Sequence, residues 1–274
     1  LDTPATLALT PAFTTTLYDG NNGSSLKIVP TGIDNTNKSL IWIKRRDGTA
    51  QEHYLADSVR GKNGRNAYAY LSSNSSSKEA ASDNGLTDFT SSGFELTGGY
   101  GPVNTNNKYV AWNFRAAPGF FDIVEYEGTS TAPHEIPHAL TSKPGMMIIK
   151  KYTDNVDWFV YHQSLGATKN LRLNEPDKQR TANGVFWDTE PTSTHFTLGS
   201  EGDVNGGGGA RYIAYLFADT PGTIKCGSYE GKSTQVGVDC GFKVGWLIIK
   251  NSSNSANWIT VDNKRIDGLQ GTEG

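Results

Sequence analysis

His134, Glu135 and His138 stand in the order His-Glu-x-x-His, the spacing with which a helix offers two imidazoles to zinc and a carboxylate to an attacking water. That chemistry needs the helix. Pro137 lies inside the motif, where it would remove a hydrogen bond and clash with the preceding turn, and Pro133 and Pro144 flank it. The segment is expected to be a loop among strands, and no metal site is assigned. Glycoside hydrolysis would need two carboxyl groups flanking the scissile bond. Glu125 and Glu127 alternate so as to share one strand face, with Asp122 just before them. Lys225 and Ser228 replace Asp122 and Glu125 at the next recurrence of this segment, and only the acid before glycine recurs, as Asp19, Glu127 and Glu230. A turn-stabilising carboxylate explains that recurrence. The run Gly206 to Gly209 lacks the Lys-Ser/Thr of a phosphate loop. Asp203 and Asn205 supply fewer oxygens than calcium requires. No catalytic residue and no cofactor is assigned.

Sugar binding asks for less: a ring under the apolar face and a polar group at the hydroxyls. Trp158 and Trp258 occupy equivalent places, with His53 in the first copy, and four residues on stand His162, Asp262 and Asp57. A ring and a polar group four apart on a strand share a face, so these residues form a candidate ligand platform. The same indoles would equally serve as core.

These residues are placed by an internal repeat. Tyr18-Asp19-Gly20, Tyr126-Glu127-Gly128 and Tyr229-Glu230-Gly231 open three copies. Leu40-Ile41-Trp42-Ile43-Lys44 answers Met146-Met147-Ile148-Ile149-Lys150 and Trp246-Leu247-Ile248-Ile249-Lys250. Leu71 and Leu173 each precede Phe94 and Phe196 by the same interval, so they align without a gap. Tyr109-Val110-Ala111-Trp112-Asn113-Phe114 answers Tyr212-Ile213-Ala214-Tyr215-Leu216-Phe217. The copies run 18–119, 120–221 and 222–274, the third only half as long, after an N-terminal linker or docking segment at 1–17. The half copy and the opening at Leu1 lead us to expect a trimmed or partly covered product.

Within each copy, apolar runs of four to seven residues are bounded by Gly, Asn, Asp, Pro or Ser, the signature of strands. The expected fold is all-β: tandem antiparallel β-sandwich modules of the jelly-roll or lectin-like kind, about 105 residues each, strung in an extended array. Only Ser76 to Asp83 has helix-tolerant composition. Net charge is −3 and no basic run exceeds Lys44-Arg45-Arg46, which argues against a nucleic-acid partner. No apolar run approaches a membrane span. Cys226 and Cys240 could face each other across a hairpin around Glu230-Gly231, or stand as free half-buried thiols.

The strings Ser39 to Arg45, Leu55 to Gly61, Gly85 to Phe89, Gly93-Phe94, Val103 to Thr105 and Tyr109 to Phe114, with their second-copy counterparts, resemble a module that recurs in tail-fibre and other virion proteins of marine bacteriophages. The resemblance covers nearly everything after residue 18. It implies a lectin-like sandwich exposed on a virion. Its partners would be other copies of itself, commonly as a trimer, neighbouring virion proteins and a host-surface polysaccharide. It carries over no catalytic residue. The resulting expectation is a non-enzymatic tail-fibre, spike or decoration protein, with a β-sandwich depolymerase and a purely structural capsid or tail component as rivals.

Overall fold

The computed structural model describes residues 11–265. Its chain is almost entirely β, in antiparallel sheets packed face to face. Module 1 pairs a large sheet with a small one. The large sheet runs in the order β1 (Phe13–Asp19), β8 (Lys108–Arg115), β3 (Ser39–Arg45), β4 (Tyr54–Asp57), β5 (Tyr70–Leu71). The small sheet is β2 (Lys27–Pro30), β7 (Gly93–Thr97), β6 (Gly85–Thr90). β1 therefore begins inside the stretch expected to be linker, and Phe13 to Leu17 pair with Val110 to Phe114. The rest of the proposed docking segment, residues 1–10, lies outside the described residues.

Module 2 repeats the design. Its large sheet is β9 (Phe121–Glu127), β16 (Arg211–Ala218), β11 (Pro144–Lys151), β12 (Phe159–His162), β13 (Lys169–Arg172), β14 (Arg180–Thr181). Its small sheet is β10 (His134–Pro137) with β15 (His195–Leu198). A one-turn helix, α1 (Asn183–Phe186), comes shortly before the stretch where β6 would recur. Helix was expected instead at Ser76 to Asp83, but that segment is irregular and held by a bridge from Ala80 to Tyr70. In module 3 the described strands are β17 (Trp246–Ile249) and β18 (Ile259–Asp262).

The ladders correct one alignment. Leu55 lies opposite Leu71, and its counterpart Val160 lies opposite Leu171, not Leu173. Module 2 has two extra residues between this point and Phe196, which a gapless match hides.

Successive side chains of β8 alternate between two faces, and both faces are buried. Tyr109 and Ala111 point into module 1's own sandwich, beside Val29, Ile41 and Phe94. Val110, Trp112 and Phe114 point the other way, into one core shared with Met146, Ile148, Val160, Tyr215, Phe217 and, from module 3, Trp246 and Ile248. Large-sheet strands are thus covered on both faces, which is why β11 and β16 are apolar nearly throughout. At about 25 cal/mol per Å² of apolar area, this second buried face binds the modules firmly to one another. They cluster round a common centre and are not strung as an extended array.

The Tyr-acid-Gly signature also has a different cause from the one inferred. Tyr18 stacks on Tyr109 with ring centroids 5.2 Å apart, and Tyr126 on Tyr212 at 5.0 Å. Asp19 stands opposite Lys108, and Glu127 opposite Arg211, so the acid answers a cross-strand base. A Cβ on Gly20 would lie 2.0 Å from the Thr105 carbonyl oxygen, and one on Gly128 2.0 Å from that of Gly206. Glycine is there because the loop before β8 or β16 presses on it.

Candidate functional site

The residues nominated as a sugar platform stand at the joints between modules. Trp158 is fully buried, and its Nε1 donates to the carbonyls of Ser72 (3.0 Å) and Ser75 (3.1 Å) in module 1. Trp258 makes the corresponding bond one module on, from Nε1 to the Arg172 carbonyl at 2.7 Å. Asp57 is buried and accepts from Arg60 Nε at 2.6 Å and from the Tyr215 hydroxyl of module 2 at 2.7 Å. Its counterpart Asp262 accepts from Arg265 Nε at 2.5 Å and from Trp112 Nε1 of module 1 at 3.0 Å. His162, in the same place in module 2, is half-buried and accepts from its own turn, Ser164 N. The platform reading is corrected for Trp158, Asp57 and Asp262. Inter-module packing covers them, so they present no face to a solvent-borne sugar.

The joint is a repeated structure. Lys150, in the place of Lys44 and Lys250, sends its ammonium into a cage of carbonyls that includes Ser76 of module 1. Lys250 reaches Pro176 of module 2 at 2.9 Å. Glu79 N donates to Tyr152 O, and Gln179 N to Ser252 O. Module 3 therefore sits on module 2 as module 2 sits on module 1, with acceptors 72 and 76 answered by 172 and 176. Burial drives the Lys150 ammonium down to about 8 and lowers Lys44 and Lys250 as well, opposed by nearby carboxylates. The Trp112–Asp262 contact joins module 1 to module 3 in the same sense, so the three form a cycle about a pseudo-threefold axis. Sequence reasoning aligned the three lysines but gave them no role. The signal that could have done so is their recurrence after an apolar strand, together with arginine three residues after aspartate in two copies.

Two cavities adjoin at His53 as one groove. One, of about 410 Å³, lies within module 1 against Gln51, Glu52, His53, Tyr70, Ser72 and Tyr100. A second, of about 150 Å³, brings together Trp42 and Asn74 from module 1, Asn174 and Glu175 from module 2, and Ile248 and Trp258 from module 3. His53 lines both. Its amide donates to Asn74 Oδ1 at 3.0 Å, as that of Trp158 does to Asn174 Oδ1 at 2.9 Å. Trp42 Nε1 donates to His53 Nδ1 at 2.8 Å, which requires that nitrogen to be unprotonated. Burial, with Lys44 and Arg265 nearby, depresses the ring to about 3. His53 is thus a neutral acceptor near pH 7, not a proton donor.

A family model described as a domain of unknown function, DUF7483, matches residues 10–270. The chain belongs to that family. The DUF7483 match spans both full modules and the half module, so the joints and the open groove lie inside it. No curated protein and no solved structure matches the chain.

Several other chemistry-bearing residues of the DUF7483 chain have structural partners. His134 to Pro137 form strand β10, not a loop. Four strand residues span roughly 13 Å, far from the helical geometry of a zinc motif. His134 Nδ1 lies 2.9 Å from Asn205 Oδ1, and His138 Nδ1 accepts from Leu140 N. Asn205 is buried, accepts from Thr129 N and donates to the carbonyls of Thr131 and Gly199, so its amide fixes a loop. Asn104 does the same for module 1 through Asn21 and Gly98. Asp122 pairs with Lys38 at 3.1 Å and accepts from Ala139 N. Glu125 pairs with Arg211 at 3.0 Å and accepts from the Tyr152 hydroxyl. Cys226 and Cys240 are both free thiols, with Cys226 buried.

Proposed function

We propose that the chain is a structural and attachment protein of a phage particle, a tail-fibre, spike or decoration component that works outside the cell by binding. The observation that carries this reading is the character of the open groove. It offers the half-buried Trp258 indole, amides and a neutral imidazole, the groups that hold a sugar or a peptide without reacting with it. The acids singled out for hydrolysis lie elsewhere, Asp122 and Glu125 each in an ion pair. The resemblance to repeated modules of marine phage virion proteins supports the setting, and self-association, commonly as trimers, follows from the same resemblance.

The test is binding of the purified chain to intact host cells and to their extracted surface polysaccharide, with released sugar assayed in parallel. Saturable binding without sugar release supports attachment. Release of oligosaccharide overturns it in favour of a depolymerase and directs attention to Glu52 and Glu175, the acids that line the groove. Assembly onto purified virion proteins with no binding to cells would make the chain a structural component alone.

A further inference from the structure

We propose that the cavity within module 1 receives an arginine side chain of a partner protein, its guanidinium lying against the rings of Tyr70 and Tyr100 and pairing with the Glu52 carboxylate. This deepens the binding reading of the groove by naming the chemistry of its ligand, and it rests on that reading.

The chain carries its own template, because matching contacts put the cavity wall of module 1 in register with a filled site in module 2. Ile43 faces Tyr54 as Ile149 faces Phe159, and Leu55 faces Leu71 as Val160 faces Leu171. Tyr70 therefore answers Asn170, and Ser72 answers Arg172. Lys44 reaches the Gln51 carbonyl as Lys150 reaches that of Val156, so Glu52 answers Asp157. The Tyr100 carbonyl accepts from Asn104 N as that of Glu201 accepts from Asn205 N, which aligns Tyr100 with Glu201.

In module 2 the site is closed by a side chain of its own. The Arg172 guanidinium lies over the Phe159 ring, 3.2 Å from its centroid, and its Nε stands 3.7 Å from Asp157 Oδ2. Only 12% of that side chain is exposed. Module 1 keeps the acid and an aromatic floor but not the cation. Tyr70 stacks on Tyr54 with ring centroids 4.6 Å apart, and its hydroxyl meets that of Tyr100. Glu52 is exposed and makes no ion pair or hydrogen bond among the described residues. Lys44, whose ammonium senses the Glu52 charge, donates to the Gln51 carbonyl instead. Ser72 is too short to reach where Arg172 reaches, and the cavity of about 410 Å³ lies beside it. The opening thus follows from serine at position 72, inside module 1. Residues 1–10 and 266–274 contain neither arginine nor lysine, so the missing cation is not theirs to supply.

A guanidinium suits these walls because it is planar and weakly hydrated, and it stacks on an aromatic ring while its N–H fork holds a carboxylate. An ammonium lacks the stacking plane, and an anion would meet Glu52. The polypeptide bearing the arginine would continue along the groove past His53 to Trp258.

The experiment uses the whole chain and a capped five-residue peptide of glycines with a central arginine, the citrulline and lysine versions serving as controls. Isothermal titration and the NMR ring-proton shifts of Tyr70 and Tyr100 are followed. The expected result is saturable one-to-one binding of the arginine peptide, with the citrulline version weaker by roughly fivefold or more and the lysine version between them. Glu52→Gln, at an exposed position, should weaken binding roughly two- to fivefold. Ser72→Arg, which supplies module 2's own occupant, should abolish it with the fold intact by circular dichroism. No binding, equal binding of the citrulline peptide, or undiminished binding by Glu52→Gln overturns the proposal. Ring shifts with host polysaccharide and none with the arginine peptide would make the cavity a sugar site, overturning the proposal and leaving the attachment reading standing. Arginine-peptide binding without binding to cells would uphold the cavity and sink cell attachment.

Discussion

The Tyr215 hydroxyl donates to the Asp57 carboxylate across 2.7 Å, and the same carboxylate holds the fully buried guanidinium of Arg60. Charge burial on this scale is tolerable only because each member answers another. Arg60 is held firmly protonated: desolvation opposes its charge, but Asp57, Tyr215 and Glu79 outweigh it. Asp57→Ala should cost about 3–5 kcal/mol by stranding that guanidinium. Tyr215→Phe, which removes one hydrogen bond, should cost nearer 1 kcal/mol. Urea denaturation of both variants and of the double variant checks the order. Equal costs would mean that the ion pair does not stabilise the joint.

Trp158 and Trp258 should separate under substitution. Trp158→Ala removes a fully buried indole and is expected to destabilise by about 3–5 kcal/mol. Trp258→Ala removes a half-buried one and should cost less. Any ligand taken from solution should be insensitive to Trp158→Phe once folding is verified and sensitive to Trp258→Ala, because only Trp258 lines the groove. Calorimetric binding with both variants decides.

Acid should loosen the chain through His53. An unfolded histidine takes its proton near 6.5, while the folded ring, depressed chiefly by burial, takes it only near 3. Between those values the unfolded state binds the extra proton, so this contribution is fully present above 6.5 and is lost as pH falls towards 3. His53→Gln keeps an acceptor for Trp42 and removes the titration. Its melting temperature should fall less steeply between pH 6.5 and 3 than that of the parent. Parallel profiles would argue against a neutral buried ring.

The thiols should react in a fixed order. Burial, with Asp219 nearby, pushes the Cys226 thiol up to about 12, so little thiolate is present near neutrality and the sulfur is shielded. Cys240 is half-buried. Mass spectrometry after iodoacetamide should find Cys240 modified in the native chain and Cys226 modified only after denaturation. A reductant should leave the melting temperature unchanged, since the two are not bonded.

Strands and repeat were legible because period-two alternation and recurring glycines are local properties. The limit shows at Trp112. Alternation puts Val110, Trp112 and Phe114 on one face, yet it cannot say whether that face meets its own second sheet or another module. Trp158 illustrates the same limit. Its spacing from His162 fits a sugar platform and a buried joint equally, and only the carbonyls of Ser72 and Ser75, 86 and 83 residues away, distinguish them. The Leu71–Leu173 alignment failed because a two-residue insertion keeps every apolar side chain on its face and so leaves the pattern unchanged. Alignment gives Lys150 no role because nothing local predicts a cage of carbonyls drawn partly from another module.

The two long-range joints also bear on how the chain comes to be made. Asp57 waits for a tyrosine 158 residues later, and Trp112 for an aspartate 150 residues later. A ribosome exposing module 1 alone would display Val110, Trp112 and Phe114 to the cytosol until modules 2 and 3 had emerged. Such late, distant closure slows folding, and exposed apolar sheet invites aggregation meanwhile. Synthesis of this chain therefore calls for protection of the nascent first module, and expression of module 1 by itself should yield insoluble material.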